Sequence, residues 1–82
     1  MLNDIEKSLR TKFGEVVRKH RLEMGISQEM LGDKCQLHRT YISEIERGLK
    51  TVSLISLFRI SEALGIPAHT LIEEVEKANN PK

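Results

Sequence analysis

A chain of 82 residues, 39% of them hydrophobic and 30% charged, has the size and composition of one small globular domain. No segment reaches the ~18 apolar residues that a membrane span needs, and the first residues lack the apolar run and cleavage site of a secretory signal. The single cysteine, Cys35, cannot form an internal disulfide, so we expect a cytoplasmic protein with no membrane partner.

The first predicted helix runs from about Ile5 to Met24, where apolar residues recur every three or four positions until Gly25 ends it. Basic residues outnumber acidic ones between positions 10 and 21, so this half of the chain suits phosphates better than the acidic second half. Ser27 then offers a side-chain oxygen as the N-cap of a short second helix that ends near Lys34.

A connector over residues 35–37 leads to a third helix that begins near His38 and ends at Gly48. Ile42 and Ile45 form its apolar inner face, whereas its outer face is polar or charged. Two short helices with such a connector are what a helix-turn-helix requires. An α-helix fits the major groove of B-DNA, and side chains near its N-terminus reach base edges there. The third helix is therefore predicted to read double-stranded DNA.

Two further helices complete the predicted fold. Ser53 is the expected N-cap of a fourth helix that ends at Gly65, and Pro67 precedes a fifth helix over about 68–78. We expect residues 79–82 to form a frayed tail. The prediction is an all-α single domain over residues 1–82, with its core between about 10 and 76. The apolar stripe expected on the fourth helix comprises Leu54, Leu57, Phe58, Ile60 or Ser61, and Leu64.

The run ISQE over residues 26–29 with Leu31, followed by LHRTYISEIERG over 37–48, resembles the phage repressor and Cro type of helix-turn-helix, called the XRE family. The resemblance continues through ALGI at 63–66 and so covers most of the chain. It implies the five-helix fold of lambda-repressor-like DNA-binding domains. Within that family, the RTYIS and IER stretches in so short a chain are similar to controller proteins of restriction-modification systems.

The outer face of the third helix and the helix ends around it supply the candidate DNA contacts. Arg39 can hydrogen-bond to O6 and N7 of guanine, the commonest specific base contact, and is the first candidate base reader. Thr40, Ser43 and Glu44 are further candidates on the same face, and a solvated helix surface is the alternative. The resemblance implies that Gln28 holds a DNA phosphate. Tyr41 is a further candidate phosphate contact, with partial packing against the domain as the alternative. The resemblance places additional phosphate contacts at Arg47, Lys50, Thr51 and Ser53, and a solvated loop is the alternative for Lys50 and Thr51.

The resemblance also implies a structural ion pair, partly buried, between Arg21 and Glu46. Two residues depart from the family pattern: Gly32 stands where alanine is usual, and Gln36 replaces the customary turn glycine. If the backbone at Gln36 keeps a positive φ, that residue is strained. We expect His20 to be a satisfied core histidine rather than a metal ligand.

A repressor-type domain usually binds a palindromic operator as a two-fold dimer. Because the sequence shows no separate dimerisation domain, the last two helices must supply the interface. We therefore expect a homodimer through the fifth helix. The apolar residues available for its interface are Ile55, Pro67, Ala68, Leu71, Ile72 and Val75.

These patterns together predict a sequence-specific transcriptional regulator that acts on promoters by blocking or recruiting RNA polymerase. The alternative is a helical adaptor or antitoxin-type module with the same fold, whose acidic stretch over 73–76 meets a protein partner. An enzyme is disfavoured because the three histidines are isolated and the sequence has no glycine-rich phosphate loop and no nucleophile motif. We predict no catalytic residue, no metal site and no cofactor.

Overall fold

The computed structural model describes residues 2–79, and these fold into helices joined by short turns, with no strand among them. This confirms the predicted all-α fold. No helix in this part of the chain is long and apolar enough to cross a membrane. The helices are α1 (Leu2–Met24), α2 (Gln28–Cys35), α3 (Arg39–Glu46), α4 (Leu54–Leu64) and α5 (Ala68–Asn79).

The helix ends follow the local rules that the sequence suggested. Ser27 Oγ accepts a hydrogen bond from Met30 N at 3.0 Å, and Ser53 Oγ accepts one from Ser56 N at the same distance. Each serine thus satisfies a backbone donor that the first turn of its helix leaves free. Two bounds differ from the prediction: α1 begins at Leu2 rather than near Ile5, and α5 includes residue 79, the first residue of the predicted frayed tail. Residues 80–82 of that tail lie outside the described residues.

The core lies between the five helices: α1 packs against α3 and α5, α2 packs against α3 and α4, and α4 also packs against α5. Cys35 is also buried there, as expected for a packing residue, and this burial raises the pKa of its thiol. The polar Ser61 of α4 is buried, and its Oγ donates to the carbonyl oxygen of Phe58 at 3.0 Å. The side chains with almost no exposure to solvent are Val17, Leu31, Ile42, Ile45, Ile60 and Leu71.

α5 lies antiparallel along α1, and polar side chains join the two helices. Ser8 Oγ donates to Asn79 Oδ1, and His20 Nε2 lies 2.9 Å from Glu74 Oε1. Lys19 Nζ donates to the same carboxylate at 3.0 Å. Burial raises the pKa of Glu74, but the hydrogen bonds from Lys19 and His20 outweigh burial and hold it below its ordinary value. His20 is thus a satisfied histidine that helps to fix α5 against α1.

The predicted apolar stripe of α4 is wrong at two positions. Leu54 is 67% exposed and Phe58 is 56% exposed. The buried face of α4 is formed by Ile60 and Leu64, and Leu54 and Phe58 lie at the edge of that face. Ile55 is 64% exposed beside them. We call Leu54, Ile55 and Phe58 the helix-four surface.

Two residues predicted for the dimer interface are also placed differently. Leu71 and Val75 are buried in the chain's own core, so neither offers a surface to a second copy. Ile72, on the other side of α5, is 44% exposed. At the start of α5, Pro67 is exposed and Ala68 is half-buried.

Candidate nucleic-acid interface

α3 is anchored by one face and free on the other. Ile42 and Ile45 are buried, at 0% and 1% exposure, and hold the inner face of α3 against the core. Arg39 and Thr40 are exposed at the first turn of the helix. Because the inner face is fixed by packing, the direction in which these two side chains project is fixed as well. Ser43, one turn further along, is half-buried.

The turn that sets α3 against α2 depends on an unusual pair of residues. Gln36 adopts the left-handed conformation, with φ 60° and ψ 38°, and is the only residue other than glycine with positive φ within residues 2–79. Leu37 N donates to the carbonyl oxygen of Gly32 at 2.9 Å and closes the turn. A Cβ at Gly32 would lie 2.3 Å from the carbonyl oxygen of Leu37. Gly32 therefore lets the turn fold back on α2 without a clash. Gln36 holds the left-handed backbone conformation with a side chain, at some cost in strain.

α3 begins with a histidine cap that we did not anticipate. His38 has an extended backbone, and its Nδ1 accepts a hydrogen bond from Thr40 N at 3.0 Å. Serine, threonine, aspartate and asparagine are the usual residues at this position, so sequence preference alone does not identify a histidine N-cap. The side chain is exposed immediately before Arg39.

A buried ion pair ties α1 to the end of α3. Arg21 Nε donates to Glu46 Oε2 at 2.7 Å and Nη2 donates to Oε1 at 3.0 Å, so the contact is bidentate. The side chains are only 9% and 2% exposed. Arg21 Nη1 also donates to the carbonyl oxygen of Ile26 at 2.8 Å, just before α2. Hydrogen bonding to Glu46 raises the pKa of Arg21 further, although burial acts against it. One guanidinium therefore joins α1, the start of α2 and α3.

Gln28 also belongs to this network, through a contact that the sequence pattern does not predict. Its Nε2 donates to Glu46 Oε1 at 3.1 Å, and the residue is half-buried. An amide nitrogen carries two hydrogens, so this bond leaves one of them for another acceptor. Gln28 is thus held at the first turn of α2 by the same carboxylate that holds Arg21.

α1 approaches α3 closely at a glycine. A Cβ at Gly14 would lie 2.3 Å from the carbonyl oxygen of Ile45 and 2.7 Å from that of Glu46. Only a residue without a side chain lets the two backbones lie this near. One turn earlier on α1, Arg10 Nε donates to the carbonyl oxygen of Gly48 at 3.3 Å, beyond the end of α3. The last turn of α3 is thereby fixed from α1.

The remaining predicted contacts surround α3. Tyr41 is half-buried and packs against the core, and Glu44 is half-buried. Arg47 is exposed, and its Nε donates to the carbonyl oxygen of Ser43 at 3.4 Å. Lys50, Thr51 and Ser53 are exposed in the segment between α3 and α4, although the hydroxyl oxygen of Ser53 already caps α4.

Within residues 2–79, no group of histidine, cysteine or acidic side chains is arranged to hold a metal ion. A shallow apolar cavity of about 260 Å³ lies between α1, α5, the segment that joins α3 to α4 and the first half of α4. Val52, Leu57 of α4 and Ile72 of α5 line this cavity, so apolar side chains from both helices are exposed next to each other there.

Comparison with known proteins gives consistent matches. A family model described as Helix-turn-helix matches residues 17–71, which include all of α2 and α3. The control protein C.BamHI of Bacillus amyloliquefaciens is 48% identical over 67 residues, covering 80% of this chain and 83% of that protein. The control protein C.MunI of Mycoplasma sp is 40% identical over 77 residues, covering 93% and 99%. The solved structure of the restriction-modification controller protein C.AhdI from Aeromonas hydrophila has a TM-score of 0.74 at 37% identity and covers 76% of this chain and 94% of that one.

Proposed function

Since the chain belongs to the helix-turn-helix family of DNA-binding transcriptional regulators, we propose that it binds palindromic operator DNA as a homodimer, with the outer face of α3 in the major groove. The observation that carries this proposal is the contrast between the two faces of α3. Ile42 and Ile45 are fully packed, whereas Arg39 and Thr40 project into solvent at the end of the helix that enters the groove.

Four side chains of α3 are the proposed base readers. Arg39 donates to O6 and N7 of a guanine. Thr40 offers a hydroxyl and a methyl group to a neighbouring thymine, and Ser43 is short enough to allow close approach of the helix. Glu44 accepts from the amino group of cytosine.

The proposed backbone contacts flank these readers. Gln28 donates its second amide hydrogen to a phosphate while its first stays on Glu46, so one residue couples the ion pair to the DNA backbone. The Tyr41 hydroxyl and the Arg47 guanidinium are further donors at the edge of α3. Beyond that helix, the proposed backbone contacts are Lys50, Thr51 and Ser53.

The salt dependence of binding tests whether the segment after α3 lies on DNA. Lys50→Ala should weaken binding to all duplexes about equally and reduce the slope of log affinity against log salt by about 0.9, because one phosphate contact no longer releases a counterion. Lys77→Ala is the matched control, since this exposed lysine of α5 makes only a 3.9 Å contact with Glu73. Equal effects of the two substitutions on the slope would remove Lys50 from the interface.

The helix-four surface, together with Ile72, Pro67 and Ala68 of the α5 region, is the proposed dimer interface. Exposed apolar residues grouped on one side of a small protein mark interaction surfaces, and a two-fold interface uses the same patch on both copies. Leu71 and Val75 are left out of this interface because the core buries them, and the exposed residues Leu54 and Phe58 are included instead.

Introducing a charge tests this interface. Ile55→Glu should convert a dimer into a monomer in sedimentation at micromolar concentration, because the carboxylate would be buried against the partner's apolar residues. Leu22→Glu, at a similarly exposed leucine of α1 outside this surface, should leave the dimer intact. A wild-type protein that sediments only as a monomer, or an Ile55→Glu variant that stays dimeric, would contradict the proposal.

The similarity to the restriction-modification controller protein C.AhdI and to relatives named as control proteins supports a role in regulating restriction-modification genes, with the cytoplasm, where operator DNA lies, as its location. A regulator bound at a promoter blocks RNA polymerase or touches it. Exposed Glu29 and Asp33 on α2 line a small surface cavity beside Arg39, and these acidic side chains are the proposed contact to a polymerase seated next to the operator.

A further inference from the structure

His38 is the N-cap residue of α3, the proposed reading helix, and has no role among the proposed base or phosphate contacts. Its ring is exposed, and its Nδ1 accepts the Thr40 N–H at 3.0 Å. The hydrogen bond ties the ring to the backbone of α3, so the ring cannot turn freely as an exposed histidine ordinarily would. Its position and direction are therefore set by the same turn that presents Arg39.

The cap also decides which ring nitrogen carries the proton. A neutral imidazole has one nitrogen that donates and one that accepts, and Nδ1 here is the acceptor. The proton therefore resides on Nε2. Among residues 2–79 no group accepts a hydrogen bond from Nε2. The ring thus presents one outward N–H donor in a fixed tautomer, immediately before the first base-reading residue.

The charges around the ring favour a base over a phosphate as its acceptor. One surface cavity of about 270 Å³ is lined by His38 together with Leu37, Arg39 and two acidic residues of α2, Glu29 and Asp33. Two carboxylates beside the ring repel a phosphate seated there. They repel the small partial charge on an acceptor atom of a base edge far less than the full charge of a phosphate. In the major groove, N7 of a purine is an acceptor that both guanine and adenine provide.

We propose that His38 is a further specificity-determining residue, whose Nε2–H donates to N7 of a purine next to the guanine that Arg39 reads. The inference rests on the proposed operator binding by α3. It commits this position of the half-site to a purine without distinguishing guanine from adenine, because the ring offers a single donor. The cap and the base contact use different nitrogens of the same ring, so both persist together.

The test compares wild-type protein with His38→Ser on operator duplexes in which each purine in turn is replaced by its 7-deaza analogue, which lacks N7. Serine is a good N-cap but is too short to replace the ring donor, so the fold should keep its stability. We expect a wild-type affinity loss of about three- to tenfold at one purine next to the guanine read by Arg39, as for one neutral hydrogen bond. In His38→Ser that loss should disappear at this position alone.

The controls separate the cap from the contact. His38→Ala should lower the Tm as well as the affinity, whereas His38→Ser should lower only the affinity. Ring nitrogen spectra of the free wild-type protein should show the proton on Nε2. A His38→Ser variant with wild-type affinity, an unchanged 7-deaza profile, or a proton on Nδ1 would overturn the inference. If the wild-type protein itself prefers no duplex sequence, it is the proposed function that fails.

Discussion

Glu46→Ala should destabilise the protein by about 3–5 kcal/mol, the largest effect expected of any single truncation discussed. The substitution leaves the Arg21 guanidinium buried without its bidentate partner, and Gln28 loses its acceptor at the same time. A small domain has a total stability of about 5–15 kcal/mol, so the variant should be close to unfolding at physiological temperature. The loss of α3 packing should abolish operator binding through the fold rather than through a DNA contact.

Urea unfolding followed by circular dichroism measures this effect. Glu15→Ala is the matched control, since Glu15 is an exposed α1 residue whose contact with Lys12 spans 3.8 Å. Surface pairs of this kind contribute about 0–1 kcal/mol. Glu46→Gln keeps an acceptor for Arg21 and should fall between the two variants. If Glu46→Ala lost no more stability than Glu15→Ala, the buried ion pair would not hold the reading helix.

Gly14→Ala should destabilise the protein by about 1–3 kcal/mol or more, the cost of overpacking, although alanine is the better helix former by about 1 kcal/mol. The atoms that a Cβ would meet belong to the backbone of Ile45 and Glu46, at 2.3 to 2.9 Å. Backbone cannot rotate aside as a side chain does, so α1 must shift away from the end of α3. The shift should also weaken the contact between Arg21 and its carboxylate.

The sign of the change in unfolding free energy decides this prediction. The helix-propensity difference alone would make the alanine variant more stable, whereas the clash of its Cβ with the backbone of α3 should make it less stable. The measurement is the same urea series, with operator affinity recorded in parallel. A Gly14→Ala protein at least as stable as wild type would mean that α1 does not lie against α3 at the observed distance.

Local signals in the sequence were sufficient to place the helices. Ser27 and Ser53 begin α2 and α4 as predicted, and the spacing of Ile42 and Ile45 identified the buried face of α3. The apolar stripe predicted for α4 was wrong at Leu54 and Phe58 because these exposed residues have the same helical spacing as the residues that are buried. Only the packing of neighbouring helices decides where the edge of such a stripe falls, and periodicity carries no information about that edge.

The missed parts of the site involve contacts that a linear pattern does not encode. The hydrogen bond from Gln28 to Glu46 joins residues 18 positions apart on different helices. Gly14 and Gly32 have no room for a Cβ because backbone atoms of other segments lie close to them. Helix propensity treats both glycines only as unfavourable and so does not predict this role. The family resemblance pointed to Arg21 and Glu46 as a pair, but not to the Gln28 amide that donates to the same carboxylate.

Selection of bound sequences from random duplex DNA, performed with wild-type protein and with Arg39→Ala, tests the central claim that the outer face of α3 reads the operator. We expect a two-fold symmetric motif for wild type and a specific loss of guanine preference at one position of each half-site in the variant, a discrimination of about 1–3 kcal/mol. An unchanged motif with Arg39→Ala, or no enriched motif with wild-type protein, would contradict the account.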